Sequence, residues 1–150
     1  MTDTSHDIRT LNSLIATTID SIDGYEESAK EVETGRFTEL FRARANERRQ
    51  IVGQLRREVA RLGGNPEDDG TFLAGAHRAF LNLKATVATR DDKAIIGEVE
   101  RGEDHIKGKF QDSLNDDKLS PETRSTIESA FQSVKAGHDQ ISQIKHSITA

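Results

Sequence analysis

The sequence predicts an all-α protein, an up-and-down four-helix bundle with a shorter helical crossover between the second and third long helices. Apolar residues recur at helical spacing along four long segments, and no stretch alternates as a half-buried strand would. Turn-forming residues separate these segments. A chain of 150 residues is long enough for one hydrophobic core and too short for two, so we expect a single domain.

The first long helix is expected to follow Asp7, a residue type that often caps helix N-termini. Its apolar stripe continues to Val32, and Gly35 then breaks the pattern. We expect residues 1–6 to form a disordered tail and residues 7–150 to form the bundle domain.

The second helix is predicted from about Arg36 to Leu62, followed by a turn-rich loop at 63–70. A shorter apolar stripe from Thr71 to Ala88 predicts the crossover helix. Such a helix can return the chain along most of the bundle, so the long helices on either side of it should run parallel. Any exposed apolar side of the crossover would be the first candidate for a contact between two copies.

The third long helix is predicted from an N-cap at Asp91 to about Leu114. The last helix begins with Ser120, Pro121 and Glu122, which suit the N-cap, the first helical position and the first turn. These boundaries complete four long helices and one short one.

Several charged side chains fall on faces that should be buried. Glu103 lies within the apolar stripe of the third long helix, and Arg44 and Arg48 lie on the stripe of the second. A buried carboxylate needs a cation, and a guanidinium pairs well with it. At a common depth in the bundle, we expect a polar core layer of Glu26, Arg44, Arg48, Glu100, Glu103 and His138.

The same residues allow two metal interpretations, in which any ligands must be carboxylates and imidazoles because the chain has no Cys. A carboxylate-bridged di-metal centre needs a single Glu from each of two helices and a Glu-x-x-His pair from each of the others. Glu26 and Glu103 fit the single positions, but the residue three before His138 is Lys135.

The second interpretation is one weakly bound metal, iron or manganese, on carboxylates and one imidazole. Its ligands would be Glu26, Glu100, Glu103 and His138. We favour the third interpretation, an ion-pair layer without a cofactor, because Arg48 would add positive charge where a dication would lie.

Five motifs carry a resemblance that extends over nearly the whole chain. They are Leu11-Asn12-Ser13-Leu14-Ile15, Asp23-Gly24-Tyr25-Glu26, Arg61-Leu62-Gly63-Gly64-Asn65-Pro66, Glu100-Arg101-Gly102-Glu103-Asp104 and His138-Asp139-Gln140-Ile141. In these the chain resembles a functionally uncharacterised bacterial four-helix-bundle family of the ferritin-like superfamily. The resemblance implies a ferritin-like fold with a polar core and a stress-associated or structural role. It implies no established reaction.

Composition and motifs narrow the function further. The net charge of −5, with basic residues interspersed among acidic ones, argues against a nucleic-acid surface. No apolar run approaches a membrane span, and the N-terminal residues lack signal-peptide features, so we expect a cytoplasmic protein. Phosphate-binding, hydrolase and zinc-protease motifs are missing from the sequence.

We therefore expect a non-catalytic protein of unknown cellular role. Self-association as a homodimer or homo-oligomer stays open, and the sequence identifies no protein partner. The alternative is an iron- or manganese-binding ferritin-like protein with a redox or storage function.

Overall fold

The computed structural model describes residues 4–69 and 91–149, which contain helices and connecting loops and no β-strand. The helices are α1 (Thr4–Glu31), α2 (Gly35–Arg61), α3 (Asp92–Leu114) and α4 (Pro121–Thr149). The four long helices of the prediction are confirmed, while the predicted crossover at 71–88 lies outside the described residues.

The direction of α3 follows from contacts at its two ends. At its start, Asp92 accepts hydrogen bonds from the backbone N–H groups of Glu33 and Thr34, just after α1, at 2.9 and 3.0 Å. Just beyond its end, Asp116 lies 2.6 Å from His6 near the start of α1. Helix α3 therefore runs antiparallel to α1. Since Glu33 and Thr34 also lie directly before α2, helices α2 and α3 start at the same end of the bundle and run parallel, as expected for a ferritin-like bundle with a crossover.

Two helix ends show the local chemistry expected from the sequence. Asp91 caps α3, since its side chain accepts a hydrogen bond from the backbone N–H of Ala94 at 2.9 Å. Gly63 stops α2 with a positive φ of 82°, a conformation that glycine adopts without steric cost. The next residue, Gly64, donates its N–H to the carbonyl of Val59 at 3.0 Å.

The prediction for the N-terminus is corrected in two respects. Helix α1 begins at Thr4, so residues 4–6 are helical rather than part of a disordered tail. Asp7 is not an N-cap but a buried residue in the first turn of α1. Its carboxylate accepts a hydrogen bond from the backbone N–H of Ser120 at 3.2 Å and lies 3.3 Å from the hydroxyl oxygen of Thr123, so it caps the neighbouring helix α4.

The core consists of two apolar clusters stacked along the bundle axis. The first comprises Leu11, Leu14, Ile15, Ile51, Leu55, Val59, Ile106, Phe110, Leu119, Ile127, Ala130, Phe131 and Val134. The second comprises Ile22, Tyr25, Ala29, Val32, Phe37, Phe41, Ala45, Ile95, Ile96, Val99 and Ile141. Although these apolar faces are well buried, none of the four described helices has both the length and the apolar character needed to cross a bilayer.

Candidate functional site

A polar layer separates the two apolar clusters. Between the clusters, each helix carries a polar or very small residue where the flanking turns carry apolar ones. These residues are Thr18 and Ser21 on α1, Arg48 on α2, Glu103 on α3 and Gly137 on α4. The helical periodicity that buries the flanking residues also carries these side chains into the core.

An ion pair between Arg48 and Glu103 forms the centre of this layer. Nη2 of Arg48 donates to Oε2 of Glu103 at 2.8 Å, and the two side chains are 0% and 1% exposed. The other terminal nitrogen of Arg48 donates to the hydroxyl oxygen of Ser21 at 2.9 Å. The layer therefore joins α1, α2 and α3 by charge-assisted hydrogen bonds inside the core.

Tyr25 donates a hydrogen bond to the second carboxylate oxygen of Glu103. Its hydroxyl donates to Oε1 of Glu103 at 2.7 Å, and its ring lies 5.6 Å from Cζ of Arg48. Burial and the nearby Glu103 carboxylate raise the pKa of Tyr25 well above its ordinary value. Both oxygens of Glu103 are thus engaged by donors from the protein itself.

Arg48 keeps its charge in this environment. Burial acts to lower the pKa of the guanidinium, but the negative charge of Glu103 and its hydrogen bond outweigh burial, so the pKa of Arg48 is raised. The layer consequently contains one cation and one anion in direct contact, so neither charge is buried without a partner.

Gly137 makes room for the guanidinium of Arg48. A β-carbon built on this residue would lie 2.6 Å from Nη2 of Arg48 and 3.4 Å from Cδ and Cζ of Arg44. Arg44 borders the layer, where its Nε and Nη2 donate to the amide oxygen of Gln140 at 3.1 and 2.6 Å and its Nη1 pairs with Glu47. The missing side chain on α4 is therefore part of how the layer is built.

One predicted member of the layer is corrected. Glu26 has a side chain that is 43% exposed, and it pairs with Arg49 rather than with Arg44 or Arg48. Tyr25, its neighbour in sequence, takes the inward position on α1 instead. Successive residues on a helix point about 100° apart, so only one of these two side chains can reach the core.

Two further predicted members lie at the edge of the bundle. Glu100 accepts a hydrogen bond from Nζ of Lys145 at 2.7 Å. The ring nitrogens of His138 lie 2.7 Å from Asp104 and 3.2 Å from Asp139, and contact with His138 lowers the pKa of Asp139. The structure therefore brings Arg48 and Glu103 together, places Arg44 beside them, and gives Glu100 and His138 other partners.

A second buried polar group, absent from the sequence prediction, lies near the start of α4. The hydroxyl of Thr123 donates to Glu58 at 3.0 Å and also lies 3.3 Å from Asp7. Two hydrogen bonds from Arg61 at 2.8 and 2.7 Å, together with the Thr123 hydroxyl, outweigh burial and lower the pKa of Glu58. Arg61 is only three residues away from Glu58 on α2, but Thr123 is 65 residues away, so the sequence could not show that this hydroxyl reaches Glu58.

A comparison with known protein families shows which family the chain belongs to. Residues 6–116, more than two thirds of its length, match the family described as Domain of unknown function (DUF2383). The chain belongs to this family. This agrees with the sequence-based resemblance to an uncharacterised bundle family, and it assigns no reaction.

Comparison with solved structures identifies the fold of this family member. It is similar to the X-ray structure of Dps from Thermosynechococcus elongatus, with a TM-score of 0.72 and 14% sequence identity. The match covers 93% of this chain and 90% of the other. The ferritin-like four-helix bundle is thereby confirmed. A comparison with curated protein sequences finds no match.

The donor set fits a metal centre of the ferritin-like kind poorly. Both oxygens of Glu103 already accept hydrogen bonds, one of them from a guanidinium that would repel a dication. The side chain of Glu26 points away from the layer and pairs with Arg49. Glu100 pairs with Lys145, and His138 pairs with Asp104. Within residues 4–69 and 91–149, no group of three or more carboxylate or imidazole side chains is arranged to hold a metal ion.

Proposed function

We propose that the protein is a non-catalytic ferritin-like bundle in which Arg48 supplies the core cation. The observation that carries this proposal is the direct ion pair between Arg48 and Glu103, both essentially inaccessible to solvent. Because a fixed guanidinium balances the carboxylate, the core requires no bound cation to be stable. The layer then serves to fix the register of the helices.

The proposed cellular role is structural or stress-associated, exercised through self-association or a protein partner. The sequence resemblance to uncharacterised bundle proteins supports this role. Sedimentation velocity over a range of concentrations tests the self-association part, for which we expect a homodimer or a larger homo-oligomer. A protein that stays monomeric at high concentration would restrict the proposal to a partner of another kind.

The metal content of the protein tests the proposal against its alternative, an iron- or manganese-binding protein with redox or storage function. The protein is purified without chelators, incubated with Fe(II) or Mn(II), freed of excess metal and subjected to elemental analysis. We expect less than stoichiometric metal, with no change in the Glu103→Ala variant.

Glu26→Gln provides the matched control, because this carboxylate is exposed. One equivalent or more of metal that disappears in Glu103→Ala and persists in Glu26→Gln would overturn the proposal. Such a result would mean that the metal displaces Arg48 from Glu103.

A further inference from the structure

Two buried polar atoms next to the Arg48–Glu103 pair lack hydrogen-bond partners within the described part of the chain. They are Nε of Arg48 and Oε1 of Glu47. The Arg48 side chain is 0% exposed, and although the Glu47 side chain is 28% exposed, its Oε1 atom is buried. A buried donor and a buried acceptor left unsatisfied together are costly, and native proteins commonly resolve such cases with an internal water.

The distance between these atoms defines what can lie between them. Nε of Arg48 and Oε1 of Glu47 are 3.8 Å apart, too far for a direct hydrogen bond. A single oxygen atom can nevertheless lie within about 2.9 Å of both, which is an ordinary hydrogen-bond length. The separation of the two atoms is therefore one that a single oxygen of a bridging molecule can span.

The charges on either side restrict the chemistry of that molecule. An anion would be repelled by the carboxylate of Glu47, and a cation by the guanidinium of Arg48. The ligand must also accept a hydrogen bond from Nε–H and donate one to Oε1. Water satisfies all of these conditions.

We infer that the core contains a specific water site between Arg48 Nε and Glu47 Oε1. The bound water couples Arg48 to a second carboxylate, so the guanidinium is balanced by Glu103 directly and by Glu47 through solvent. Because Oε2 of Glu47 pairs with Arg44, the water links the buried pair to the partly exposed charges of Arg44 and Glu47 at the edge of the bundle. This inference goes beyond the proposed function and does not depend on it.

Rotating-frame Overhauser spectra of the ¹⁵N-labelled protein test the site in solution. We expect a dipolar cross-peak between water and the Nε–H proton of Arg48, opposite in sign to a peak caused by proton exchange. Arg44 is the internal control, because its Nε–H donates to Gln140 and should give no such peak.

Two variants of Glu47 sharpen the test. Glu47→Gln retains an acceptor oxygen and should keep the cross-peak, whereas Glu47→Met removes the acceptor and should abolish it. Absence of the cross-peak in the native protein, with a crystal structure showing Nε in direct contact with Glu47, would overturn the inference. In that case the Arg48–Glu103 pair, and with it the proposed function, would still stand.

Discussion

Gly137 on α4 leaves the space that the guanidinium of Arg48 occupies. A β-carbon on residue 137 would lie 2.6 Å from Nη2 of Arg48, which is closer than nonbonded atoms tolerate. The same nitrogen donates to Glu103 at 2.8 Å, so it cannot withdraw without stretching that hydrogen bond. The buried ion pair therefore depends on an absent side chain as well as on two charged ones.

Substitution of this glycine tests the steric relationship. Gly137→Ala should lower the free energy of unfolding by about 1–2 kcal/mol, because overpacking of the core outweighs the gain in helix propensity. Gly102→Ala on α3 is the control, since no atom of residues 4–69 or 91–149 lies within 4 Å of its added methyl group, and it should stabilise the protein by up to about 1 kcal/mol. Urea denaturation measures both. Equal stabilisation by the two variants would contradict the geometry.

Titration of Tyr25 tests the buried network from the other side of Glu103. The raised pKa of Tyr25 means that its stabilising contribution is complete below about pH 10 and is lost as the pH rises through the higher native value. The chain contains one Tyr and no Trp, so ultraviolet absorbance reports this residue alone. We expect ionisation well above pH 10 in the native protein and a lower pKa in Glu103→Gln. If Tyr25 ionised near pH 10 in the native protein, its hydroxyl would have to be exposed to solvent.

The sequence was sufficient to predict the four long helices and the burial of both members of the central pair. Apolar periodicity located all four long helices, and a charged residue within an apolar stripe identified both Arg48 and Glu103 as buried. Since a buried charge requires an opposite charge, the sequence also predicted that arginines of the second helix balance the buried acids, but the specific pairing of Arg48 with Glu103 comes from the structure. The N-cap at Asp91 could also be predicted, because N-capping depends on the local sequence alone.

The remaining features depend on tertiary contacts that a helical projection does not contain. A helical projection placed Glu26 inside the apolar arc, but in the packed bundle Tyr25 beside it faces the core and Glu26 turns toward Arg49. Gly137 carries no side chain to signal its role, which is defined only by the arginine opposite it. Asp7 caps a helix more than one hundred residues away, so local capping rules misassigned it.

Acid should destabilise the protein in part through Glu58. Its lowered pKa means that its contribution is present above the ordinary value of about 4.3 and is lost as the pH falls through the lower native value. Glu58→Gln should therefore cost about 1–2 kcal/mol near neutral pH and progressively less below about pH 4. Urea denaturation across this range measures the difference. A difference that is independent of pH would contradict the assigned contacts.

The pair formed by Glu26 and Arg49 should contribute little to stability. Both side chains are nearly half exposed, so solvent screens their attraction. Arg49→Gln should change the free energy of unfolding by less than about 1 kcal/mol. This variant is a close control for Arg48, the preceding residue, because it removes the same type of side chain from the same helix. A loss as large as that of Arg48→Met would show that Glu26 lies in the core after all.

A double-mutant cycle on the free energy of unfolding tests most directly whether Arg48 balances Glu103. We expect Arg48→Met to cost about 3–5 kcal/mol, because it strands a buried carboxylate, and the double variant with Glu103→Leu to recover much of that loss. A loss below about 1 kcal/mol for Arg48→Met, with additive effects in the double variant, would mean that Arg48 is solvated and that the core pair does not exist.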